Sequence, residues 1–153
     1  AMFLYGGRVA GRYVVAVAMI PRLNEALGYL EKARSKALPG SLGELDYVIF
    51  KTESYILHLK TLCAWLDGIA AYDRVVEVKN WNDNAELEGS IRRCKDAFLK
   101  ARDVTHQSAK LIAEKAKHGD DKYILFRYNF GLVTPIDELC GAMEKWTKPG
   151  DRK

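Results

Sequence analysis

The side chains best suited to metal or nucleophilic chemistry are three histidines and three cysteines. Asp103 and His106 stand three residues apart, the spacing of a helical metal-ligand pair. A carboxylate metal site in a helical bundle, however, needs a Glu-x-x-His on each of two helices plus further inward-facing acids. The sequence offers one imitation and no second, so Asp103 and His106 read as solvated polar residues. His58, between Ile56 and Leu59, reads as a hydrogen-bonded histidine at the edge of an apolar stripe. His118 beside Gly119 reads as a cation complementing a helix C-terminus. Cys63, Cys94 and Cys140 are far apart and sit in apolar patterns, which suggests neither a disulfide framework nor zinc. No base or electropositive setting accompanies any of them, as an activated thiolate requires. Gly6-Gly7 belongs to no phosphate-cradling motif. The expectation is therefore no catalytic set, no metal and no cofactor, and a chain that leans away from being an enzyme.

Two aromatic clusters are less bland. Trp65, Asp67, Tyr72, Asp73 and Arg74, followed by Trp81 and Asn82, combine ring platforms with acids and amides. Such a set covers the end of a helical bundle, forms a protein interface, or holds a sugar, in that order of preference. Trp65, Tyr72, Asp73 and Trp81 are the residues expected at any ligand or interface surface. The second cluster, Tyr123, Phe126, Arg127, Tyr128, Asn129 and Phe130, reads first as core packing across the long helices.

The elements that would position these residues are helical. Leu23, Ala26, Leu27, Leu30, Ala33 and Ala37 recur at helical steps after Pro21, which suits a first turn. Residues 14–20 fit either a helical extension or a β-rich apolar segment. Leu38-Pro39-Gly40-Ser41 ends this helix, and Ser41 with Glu44 resembles a capping box opening the next. The second helix carries a broad stripe from Val48 to about Val78, wider than a coiled-coil seam and too long for the first helix to cover. A turn at Asn80-Trp81-Asn82-Asp83-Asn84, with a cap-like Asp83 and Glu86, leads to a third helix. Its face is Leu87, Ile91, Cys94, Ala97, Phe98, Ala101, Val104, Ser108, Leu111 and Ile112, ending at His118-Gly119. Thr134-Pro135 reads as an N-cap and first-turn proline for a short helix burying Leu139, Met143 and Trp146. The predicted fold is all-α: one domain over residues 1–153, an antiparallel bundle of helices at about 21–38, 42–78 and 84–118. An aromatic crossover, either a short helix or extended, and a helix at 135–147 close it.

Composition agrees. Of 153 residues, 48% are hydrophobic and 29% charged, in the range of a globular chain. The net charge of +4 is dispersed, which gives nucleic-acid binding little support. Residues 13–20 are apolar but too short to span a bilayer. With Arg8 and Arg12 before them they imitate a signal-peptide core, but no small-x-small cleavage pattern follows. No membrane partner is expected, and the odd number of cysteines leans toward a reducing, cytoplasmic compartment. Ala1 ahead of Met2 reads as a cloning remnant, consistent with a piece of a longer protein.

Long helices followed by Tyr128-Asn129-Phe130-Gly131-Leu132-Val133-Thr134-Pro135 resemble helical segments that trail the catalytic barrels of some large glycoside hydrolases. That resemblance carries no catalytic residue onto this chain. The expected function is a non-catalytic helical interaction or assembly module, self-associating or docking a protein partner. The alternative is a helical accessory domain of a larger carbohydrate-active enzyme, with carbohydrate as its ligand.

Overall fold

The computed structural model describes residues 2–80 and 84–145, with side chains from residue 11 onward. The chain is all-α, and among the described residues there is no strand. Its elements are α1 (Met2–Arg34), a 3-10 turn (Pro39–Ser41), α2 (Leu42–Asn80), α3 (Asn84–Lys115), α4 (Gly119–Tyr128), a π-helical turn (Asn129–Val133) and α5 (Thr134–Glu144). Contacts divide the chain into two units, Ala1–Cys63 and Ala64–Lys153, with α2 contributing to both.

In the first unit the sequence expectation needs correction. α1 does not open at Pro21; it begins at Met2 and carries Pro21 in its interior. Residues 14–20 therefore take the helical alternative. Proline there removes the donor that the Val17 carbonyl would use, at a cost of about 3 kcal/mol in a helix interior. The helix ends at Arg34, and Leu38 adopts an extended conformation (φ −69°, ψ 150°), as a residue before proline prefers. The chain then reverses. Arg34 pairs with Asp46 near the turn, while Ala16 and Met19 share a groove with Tyr55 and Leu59 farther from it, so α1 and residues 42–63 are antiparallel. Ala16, Ile49, Phe50, Ile56 and Leu59 are buried here.

The second unit has a continuous core. Ala64 and Val75 of α2, Cys94, Phe98 and Ala101 of α3, and Ile136, Cys140 and Met143 of α5 pack together, with Trp65, Ala71, Leu87, Ile91 and Leu139 around them. The buried face of α3 runs Ser90, Cys94, Phe98, Ala101, Thr105, Ser108, Ile112, an unbroken series of three- and four-residue steps. Most of these side chains are small. Gly68 of α2 lies opposite Phe98, where a Cβ would come within 2.7 Å of the ring, so glycine is what permits the two helices to approach. Trp65 meets Thr105 and Arg74 meets Glu86, which makes this part of α2 antiparallel to α3.

Residues 119–144 are helical nearly throughout, resolving the crossover as a helix. The expected stop and start signals are used differently. His118 and Gly119 do not close α3, which ends at Lys115; they open α4. The His118 N–H donates to Asp121 Oδ2 at 3.3 Å, and the Asp121 N–H donates to the His118 carbonyl at 3.1 Å. Thr134 is not an N-cap. It has helical dihedrals, and its N–H donates to the Asn129 carbonyl five residues back. The π turn sets register. Asp121 and Tyr128, seven apart, are buried on α4, and Ile136 and Met143, seven apart, on α5, but Tyr128 to Ile136 is eight. The added residue keeps both buried faces on the side that packs against α3.

Candidate functional site

Of the four residues singled out by the sequence, three are described, and they differ in setting. Trp65, Tyr72 and Asp73 lie on α2 in the second unit, and Trp81 lies outside the described residues. Trp65 and Tyr72 are seven residues apart, about 10 Å along the axis. Trp65 is half-buried, its indole N–H donates to Thr105 Oγ1 at 3.2 Å, and its ring meets Phe98 edge-on at 6.4 Å and 87°. Thr105 in turn donates its hydroxyl proton to the Ala101 carbonyl at 2.7 Å, leaving a lone pair for the indole. Trp65 thus fastens α2 to α3. Tyr72 and Asp73 are exposed, and Arg74 joins Glu77 at 2.9 Å and Glu86 at 3.8 Å. Glu86 also takes Arg93 at 2.7 Å, a cluster of charges at the surface end of the helix pair.

The titratable groups follow burial. His58 on α2 is exposed, yet crowding by its neighbours desolvates the imidazole enough to lower its pKa. All three cysteines are free thiols. Cys94 and Cys140 are buried, and that burial raises both of their pKa values, which disfavours the reactive thiolate. The Cys140 thiol donates to the Phe98 carbonyl at 3.6 Å, a packing role. Among the described residues no group of three or more His, Cys, Asp and Glu is placed to hold a metal ion.

Sequence spacing missed two features. Thr105, not Val104, occupies the core position of α3; its hydroxyl bonds back to the i−4 carbonyl, so a polar residue is tolerated there. His106 Nε2 lies 2.8 Å from Asp137 Oδ1, joining α3 to α5. The partners are 31 residues apart, so local spacing held no signal for the pair. A carboxylate that orients an imidazole is one part of an acid–base device, but this pair is half-exposed and resembles an inter-helix tie.

The second aromatic cluster is also corrected. Tyr128 is buried as expected, but Tyr123, Phe126 and Phe130 are turned outward and are among the most exposed large side chains described. In the first unit an open groove of about 500 Å³ is lined by Arg12, Val15, Ala16 and Met19 of α1 and Tyr55, Leu59 and Leu62 of α2. Val14 and Val17 are exposed beside it. Among the described residues no helix is long and apolar enough to cross a membrane. No family model, no curated protein and no solved structure matches the chain.

Proposed function

We propose that this chain is a non-catalytic helical interaction module. The observation that carries the reading is the apolar surface of α1: Val14, Val15 and Val17 stand exposed on a helix that otherwise packs Ala16 inward, beside an open groove with an almost wholly apolar lining. Three valines at this exposure within one helical turn are disfavoured on a surface facing only water, and such patches mark sites of association. α2 keeps exposed apolar positions of its own at Val48, Ile69 and Val76.

A second copy of the chain is the occupant proposed, because one apolar groove and one apolar ridge are present on the same unit. Light scattering on a size-exclusion column over a wide concentration range tests it. The expected result is a mass that rises with concentration, and Val14→Ser with Val15→Lys should return the chain to monomer. A strictly monomeric chain at all concentrations would rule out self-association through this surface.

A further inference from the structure

The exposed side of α4 is aromatic and basic together. At 100° per residue, Lys122, Phe126, Phe130, Tyr123 and Arg127 follow one another around the helix, so three rings form a ridge with a cation on each side. Tyr123, Phe126 and Phe130 are 59%, 64% and 75% exposed. Phe126 and Phe130 stack with centroids 6.4 Å apart and planes 9° from parallel. The Arg127 guanidinium lies 6.0 Å from the Tyr123 ring centroid and donates to its phenol oxygen at 3.3 Å. Ile124 is exposed on the far side of Arg127, Asp120 is an exposed acid near the N-terminal edge of the ridge, and Asp121 is buried.

We infer that this ridge docks on an anionic lipid surface, lying in the interface without crossing it. Three observations favour that occupant. A second copy meeting the same face would oppose Lys122 and Arg127 with like charges, so the occupant carries negative charge. The surface is a convex ridge on one helix, which a deformable headgroup layer receives without a matching groove. Aromatic rings at the level of the headgroups with lysine and arginine beside them are the composition of interfacial helices. The lack of a membrane-spanning helix among the described residues bears on crossing and not on lying flat. The proposal is independent of self-association through α1.

The test is co-sedimentation of the full chain with phosphatidylcholine vesicles with and without phosphatidylserine. Binding is expected only where phosphatidylserine is present, and is expected to weaken as salt is raised. Phe126→Ser with Phe130→Ser, and separately Lys122→Glu with Arg127→Glu, should each reduce binding about ten-fold. Because all four side chains are exposed, both variants should keep the far-UV circular dichroism and Tm of the parent. Equal sedimentation with both vesicle types, or full binding by the Phe126/Phe130 variant, overturns the proposal. Absence of sedimentation with either also overturns it and leaves an acidic protein segment as the occupant of the ridge.

Discussion

Two ring pairs in the second unit, Trp65 with Phe98 and Phe126 with Phe130, look alike in sequence and differ in structure. The first is an edge-to-face pair inside the helix interface, with Phe98 only 4% exposed. The second is a parallel stack on the surface. What separates them is the company each keeps. Trp65 finds a hydroxyl acceptor in Thr105 and packs against the core that holds Cys94 and Ala101, while Gly68 leaves room for its partner ring Phe98. On α4 the buried side is already taken by Asp121 and Tyr128, which leaves the stacked rings to the opposite side. An aromatic residue is therefore informative about burial only when the small residues facing it are known.

The sharpest way to break this contrast is to shift the register between α4 and α5. Inserting an alanine after Gly131 adds a residue beyond the one the π turn absorbs and rotates α5 by about 100° relative to α4. Ile136, Cys140 and Met143 would leave the core. Losing the burial of Ile136 and Met143 alone costs about 2 to 5 kcal/mol each, comparable to the whole stability of a typical domain. The expected outcome is loss of the cooperative thermal transition followed by circular dichroism. An insertion variant with the parent's Tm would show that the register is not set there.

Next in size is the paired comparison itself. Phe98→Ala empties a buried position and should lower stability by about 3 to 5 kcal/mol, read from urea unfolding. Phe130→Ala, on the surface, should change it by no more than about 0.5 kcal/mol. Equal losses at the two positions would mean that the outer stack supports the fold. A smaller effect belongs to Gly68→Ala. The new Cβ would stand 2.7 Å from the Phe98 ring. Overpacking of this kind costs about 1 to 3 kcal/mol, against a gain of up to about 1 kcal/mol in helix propensity. A net loss of about 1 to 2 kcal/mol is expected; a stabilised variant would show that the Phe98 ring can move aside.

Much of this fold was legible because helices announce themselves by period. Ile49, Ile56 and Leu59 of the stripe on α2, the steps Cys94, Phe98, Ala101, Ser108 and Ile112 on α3, and the break at Leu38-Pro39 appear in the structure as read, whereas Val48, Ile69 and Val76 of the same stripe are exposed. The misreadings fall where one residue type has two uses. Pro21 suits a first turn and is nonetheless interior; Gly119 suits a helix end and begins one; Thr134 suits a cap and sits within a helix continued by a π turn. Local preference is worth about 1 kcal/mol at such glycine and cap positions, so packing over a whole helix overrides it. The candidate surface was less legible. Trp65 is a packing residue, and which face of α4 turns outward depends on contacts with α3 that no local spacing encodes.

Among the histidines, His58 on α2 and His106 on α3 are both exposed and differ in surroundings: desolvation weighs on the His58 ring, and His106 meets Asp137. For His58 the consequence is a modest pH dependence. Its pKa in the folded chain lies below the ordinary 6.5, because burial penalises the imidazolium. Above 6.5 both folded and unfolded states hold the ring neutral, and the full stability is present. As the pH falls from there toward the folded-state pKa, the unfolded chain takes up the proton first, so stability declines, and the decline stops once both states are protonated. Carboxylates titrate mostly below this window. The urea midpoint should therefore drop between about pH 7.5 and about pH 5.5, and His58→Gln should flatten that drop while leaving the rest of the pH profile in place. If the drop survives the substitution unchanged, the side of α2 around Ile56 and Leu59 tolerates the imidazolium, and water reaches the exposed His58 ring well enough to offset its desolvation.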